Sequence, residues 1–180
     1  MVRERPPFGS VLSRSRIRRE PSDSPPKLIA DAMLGALARW LRILDVDVVY
    51  DAALDDPEIV ERAVAEDRVI LTRDRRLVQR RLARNHLLIR SEVVDEQVRQ
   101  VLEELGIRPD PGRLLGRCLR CNVPTAPIPA EEARNRVPPW IARTQDVYRV
   151  CPDCGRIYWP GTHVERMKQR LERMGVSERT

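Results

Sequence analysis

With 180 residues, 42% of them apolar and only 4% aromatic, the chain has material for one ordinary domain and a small module, built around an aliphatic core. A net charge of +6 favours a polyanionic partner; only Lys27 and Lys168 are lysines, so arginine carries the charge, which reads equally as a composition bias. No apolar run approaches the roughly 20 residues of a membrane span and no hydrophobic segment follows the basic N-terminus, so neither a span nor a secretory signal is expected, and a cytoplasmic protein is.

Residues 1–26 are rich in Arg, Pro and Ser and lack apolar periodicity, which predicts a disordered basic arm. From Lys27 strands and helices alternate four times. "KLIAD" is a short strand, and "AMLGALARWLRIL" follows with Leu34, Leu37, Ala38, Leu41 and Leu44 at helical spacing. "VDVVY" is a second strand, and "DDPEIVERAVAED" a second helix, with Asp56 as N-cap and Pro57 at the first helical position. "RVILT" is a third strand, and "DRRLVQRRLAR" a third helix with Arg76, Arg80 and Arg84 along one stripe. "HLLIRS" is a fourth strand, its His86 structural, and "DEQVRQVLEELG" a fourth helix ending at Gly106. Short apolar strands with helical crossovers predict an α/β fold, a parallel sheet flanked by helices, over residues 27–110. Residues 113–160 hold all four cysteines and form a second, smaller module, and residues 161–180 a C-terminal helix and tail.

Ligands of parallel α/β sheets bind beyond the carboxyl ends of the strands. At that edge the pattern places Asp31 after the first strand, Asp51, Asp55 and Asp56 after the second, Asp74 after the third and Glu92 after the fourth. Clustered carboxylates repel unless cations offset them. A hard divalent ion, Mg²⁺ or Mn²⁺, suits such oxygen donors and supports hydrolysis of a phosphodiester. Arg39, Arg73, Arg75 and Arg76 are spaced to grip flanking phosphates. The competing reading is capping, since Asp31, Asp56 and Asp74 each precede a helix.

Cys118-x-x-Cys121 and Cys151-x-x-Cys154 each present two thiolates, and four together make a closed tetrahedral Zn²⁺ site. "YRVCPDCGRIYW" reads as two strands around the second knuckle, with Gly155 in its turn, as in a zinc ribbon. A thioredoxin-like redox site needs one such pair opening a helix, and two disulfides do not suit the cytoplasm. Zinc would act as a folding staple. Trp159 is expected to pack the ribbon against the main domain, with stacking on a base as the alternative. His163 is a candidate to orient a phosphate or carry a proton.

Together "LIADAMLGALARWLRILDVDVVY", "VILTRDRRL", "CLRCN" and "CPDCGRIYWPGTH" resemble the Mut7-C RNase domain family, over roughly residues 27–170. The resemblance implies a PIN-like nuclease fold joined to a zinc ribbon, and a metal-dependent ribonuclease. It carries Asp31 and Asp74 over as acidic metal ligands, and Asp56 as a further catalytic acid. Asp45 stands where the family has Gly, and Ala36 where it often has a basic residue. The expected partner is RNA, with tRNA and ribosome-associated RNA as candidates. The alternatives are a non-catalytic RNA- or ribosome-binding protein using the basic surface and ribbon, and a toxin-like nuclease held silent by a protein partner.

Overall fold

The computed structural model describes residues 15–17 and 25–175. Four parallel strands form the main sheet: β1 (Leu28–Ala30), β2 (Val48–Tyr50), β3 (Val69–Thr72) and β4 (His86–Leu88), in the order β2-β1-β3-β4. β1 and β3 are buried throughout, so their sequences read as unbroken apolar runs rather than alternating ones.

Helices cover both faces. α1 (Gly35–Ile43) and α4 (Val94–Glu104) pack with Leu28, Ala30, Val69 and Leu71 on one face, and α2 (Asp56–Ala65) and Leu77 of α3 (Arg75–Val78) with Ile29 and Ile70 on the other. The chain thus leaves β1 by one face toward β2 and returns by the other to β3. The strand order reverses between β1 and β3, and there the carboxyl ends open a crevice.

Helix 3 differs from the expected span. It stops at Val78, and the chain reaches β4 through tight turns, including Arg80 N–H to the Leu77 carbonyl and Ala83 N–H to the Arg80 carbonyl. A continuous helix would bury Leu82 with Leu77 and Val78; instead Leu82 is exposed and Ala83 buried. The arginine stripe is therefore broken.

The start of α2 also needs correcting. Asp55, not Asp56, is the N-cap: its side chain accepts from the Glu58 N–H while Glu58 accepts from the Asp55 N–H, a capping box. Asp45 takes a left-handed turn, φ +62°, after α1, which accounts for the family's Gly there. Asp tolerates that conformation better than most residues, and its carboxylate pairs with Arg113 at 2.5 Å.

Beyond α4 lies a three-stranded antiparallel sheet, β5 (Ala126–Ile128), β6 (Tyr148–Val150) and β7 (Ile157–Tyr158). Two short helices, α5 (Ala130–Arg134) and α6 (Pro139–Thr144), sit between β5 and β6. Trp159 packs with Ile128, Ala133, Ile141 and Tyr148 inside this module. α7 (Thr162–Arg173) returns to the main core through Leu171 and Met174. Its Arg170 pairs with Asp95 and stacks on Trp40.

Residues 15–17 fall in the stretch assigned to the disordered arm, but they are seated against β4. The other residues of that arm up to 24 lie outside those described. Among the described residues no helix is long and apolar enough to cross a membrane.

Candidate active site and cysteine cluster

Asp31 follows β1 at the crevice and is buried, 8% exposed. Its N–H donates to the Leu71 carbonyl at 3.0 Å, extending the sheet by one rung. Its carboxylate makes no cap hydrogen bond to the 3-10 turn Ala32–Leu34 that follows. Instead Oδ2 accepts from the Thr72 hydroxyl at 2.7 Å. The same hydroxyl oxygen accepts from the Asp74 N–H at 2.9 Å. One fully buried threonine thus ties Asp31 to Asp74 across the point where the strand order reverses.

Asp74 does cap: its Oδ1 accepts from the Arg76 N–H at 2.7 Å, opening α3. Asp56, relieved of capping by Asp55, pairs with Arg80 at 3.3 Å. Among the described residues Asp31, Asp56 and Asp74 do not bring their oxygens together as one group within 4.8 Å; the cysteines do. Thr72 therefore links the Asp31 carboxylate to the Asp74 backbone N–H, and Asp56 takes no part in that link.

Arg73 Nη2 pairs with exposed Glu92 at 2.5 Å. Arg39 is exposed on α1, and Arg75 and Arg76 are exposed on α3. The His163 side chain lies outside those described. His86 is structural: Nδ1 lies 2.7 Å from the Ala83 carbonyl oxygen in a buried setting. Sequence reasoning passed over Thr72, whose signal is a polar residue closing an apolar strand two places before an Asp.

The four cysteine sulfurs lie within 4.8 Å of one another. Cys118 and Cys154 Sγ are 3.7 Å apart, and ligands on a tetrahedral Zn²⁺ with Zn–S near 2.3 Å sit about 3.8 Å apart. The knuckles match. Cys121 N–H donates to Cys118 Sγ at 3.3 Å, and Cys154 N–H to Cys151 Sγ at 3.5 Å. Each ends in a left-handed residue, Asn122 (φ +64°) and Gly155 (φ +68°).

Burial pushes the Cys118 thiol up, but donation from the Cys121 N–H, the Tyr158 hydroxyl and the Arg120 N–H outweighs it and brings Cys118 down to about 6. Contact with Cys154 and the charge on Cys118 push Cys121 up to about 12. Four sulfurs at this spacing are compatible with a structural zinc ion, which takes such a donor set. Tyr158 serves the cysteine cluster: its hydroxyl accepts from the Leu119 N–H and donates to Cys118 Sγ at 3.2 Å.

The first knuckle also grips the main sheet. Buried Arg42 donates from Nε and Nη2 to the Val48 carbonyl and from Nη1 to those of Leu119 and Arg120. Asn122 Oδ1 accepts from the Val48 N–H at 3.0 Å, and its Nδ2 donates to Asp47 at 2.8 Å. Both polar groups of Val48 on the open edge of β2 are thereby satisfied.

Neither a curated protein nor a solved structure matches the chain. The profile described as Mut7-C RNAse domain matches residues 26–171, taking in the parallel sheet, the Asp31–Thr72–Asp74 link and both cysteine pairs. The chain belongs to the Mut7-C RNAse domain family.

Proposed function

We propose that the protein is a metal-dependent ribonuclease of the cytoplasm, with Asp31 and Asp74 as ligands of a Mg²⁺ or Mn²⁺ ion and Asp56 as a further acid at the same edge. The observation that carries the reading is the Asp31 carboxylate. It is buried, does no capping, and is held by Thr72 beside Asp74. Mg²⁺ keeps several waters and needs only one or two carboxylates, so two linked acids fit it without a third. When bound, such a cation supplies Lewis acidity at a phosphodiester and acidifies the attacking water.

The residues of the chain do the rest. Thr72 fixes the Asp31 carboxylate. Arg39, Arg75 and Arg76 bind flanking phosphates, with Arg73 exchanging Glu92 for one, and His163 is assigned to the substrate by its place after the second knuckle. The four cysteines hold Zn²⁺ as a structural ion. The RNA bound is single-stranded, with tRNA and ribosome-associated RNA as candidate sources.

The Asp56–Arg80 pair, and the lack among the described residues of a group of three acids within 4.8 Å, favour a second reading, an RNA-binding protein without turnover. A labelled unstructured RNA decides between them. The expected result is Mn²⁺- or Mg²⁺-dependent cleavage that EDTA stops and Asp31→Asn lowers roughly 100-fold or more, with unchanged folding. Equal rates for wild type and Asp31→Asn would overturn the ribonuclease reading. Salt-sensitive binding without cleavage would leave the binding protein.

A further inference from the structure

The early end of α3 has a consequence at the surface. Where the chain turns back to β4, Ala83 is buried and Leu82 is left 56% exposed. On α2 Val64 is 59% exposed. With Val60 and Ala65 these two side chains line an open groove of about 780 Å³ between α2 and the turn at residues 80–82. Single exposed apolar residues are ordinary on a protein surface. Apolar residues gathered in one groove with charged walls mark a place where something docks.

The walls say what fits. α2 brings Glu61 to the groove, and the turn brings Arg80 and Arg81. Arg80 is paired with Asp56 at 3.3 Å, and Arg62 of α2 with Glu66 at 2.6 Å. Glu61 and Arg81 are both exposed, and neither takes part in an ion pair among the described residues. An apolar centre with an unpaired acid on one wall and an unpaired base on the other is complementary to itself after a half turn. A polyanion would meet Glu61, and a partner of one charge sign would match only one wall.

We propose that this groove docks a second copy of the chain, giving a two-fold dimer through α2 and the turn at residues 80–82. Glu61 of each copy faces Arg81 of the other, and Leu82 of each enters the other's groove against Val60 and Val64. In such an isologous contact every residue acts twice, so one substitution is felt at two places. The inference goes beyond the ribonuclease reading and does not depend on it, since none of these side chains is assigned to metal or RNA.

The test is sedimentation velocity of the full chain from about 1 to 300 µM, a span that includes weak dimers. The expected result is a monomer–dimer equilibrium that shifts toward monomer as salt screens the charge pairs. Leu82→Ser should weaken the dimer about tenfold or more, because apolar area is lost twice. Glu61→Arg and Arg81→Glu should each weaken it about fivefold, and the two together should restore it to within about twofold, because opposite charges then meet again. All three positions are exposed, so circular dichroism should show wild-type folding in each variant. A chain that is monomeric at every concentration overturns the proposal. So does a dimer indifferent to Leu82→Ser and to both charge reversals, which would put the interface elsewhere. A monomer that binds an apolar dye, and loses the dye in Leu82→Ser, also overturns it and gives the groove to a foreign ligand. RNA cleavage enters none of these outcomes, so failure here leaves the ribonuclease reading standing.

Discussion

The site's acids differ by what each side chain has to do for the fold. Asp74 caps α3 and Asp55 caps α2, while Asp31 caps nothing and rests on the Thr72 hydroxyl. Thr72→Val removes a donor to a buried carboxylate and an acceptor for the Asp74 N–H together. A loss of about 2 kcal/mol is expected in urea unfolding, with metal affinity at the edge reduced; Thr72→Ser should restore both. A wild-type urea midpoint in the valine variant would show that the hydroxyl does not hold the pair. Asp47 offers a pH test. Burial raises its pKa, but hydrogen bonds from Arg68 and Asn122 outweigh that and hold it below the usual carboxylate range. The folded value is the depressed one, so its contribution is complete above the ordinary carboxylate pKa of about 4. It fades as pH falls through the folded value. Below pH 4 the wild type should lose its stability advantage over Asp47→Asn; a constant gap between them down to pH 2 would contradict the assignment.

At the scale of elements, a single glycine shows how tightly the edge is built. A Cβ on Gly35 would lie 2.6 Å from the Tyr50 hydroxyl oxygen, and that hydroxyl donates to the Ala32 carbonyl, so the ring cannot withdraw without losing a bond. Gly35→Ala should destabilise by about 2 kcal/mol through overpacking. With Tyr50→Leu in the background the clash is gone, and the helix preference of Ala over Gly, up to about 1 kcal/mol, should make the same change neutral or stabilising. Calorimetric melts of the four proteins give the sign, and an equal loss in both backgrounds would place the strain elsewhere. The strands and helices around this glycine were legible because each carries one strong local pattern: apolar runs for β1 and β3, helical spacing for α1 and α4, and Gly106 as a left-handed stop at φ +64°. The break in α3 was not, because Leu82 and Ala83 fit a helical stripe and only the short return to β4 selects Ala83 for burial. α5 and α6 were hidden for another reason: they are five and six residues long, and their apolar contacts are to β6 and Trp159, which lie later in the chain. In the site the type and order of the acids could be read, but not the threonine between two of them, because that link joins residues 41 apart.

The whole molecule is joined at the edge of β2. An appended zinc ribbon would need only to fold itself, but this one spends Asn122 and the Leu119 and Arg120 carbonyls on the parallel sheet. Asn122 closes the first knuckle in a left-handed conformation, and from that position its amide accepts from Val48 and donates to Asp47. The knuckle's turn and the capping of the strand are therefore one feature, and a zinc ion held by the knuckle would protect the strand. β2 borders β1, and β1 ends in Asp31, so the ribbon buttresses the side of the sheet on which the acid sits. Removing zinc with a chelator at neutral pH should speed amide exchange at Val48 by about tenfold or more, the loss of a bond worth on the order of 1.5 kcal/mol. Ile70 and Leu71, in the centre of the sheet, should stay protected. Asn122→Gly isolates the contact from the metal, because glycine keeps the left-handed turn and deletes only the amide. It should retain zinc in stoichiometric amount and still expose Val48. Unchanged Val48 exchange in both the chelated protein and the glycine variant would mean that the ribbon folds beside the sheet without supporting it, and metal content would then have no route to the acidic edge through β2.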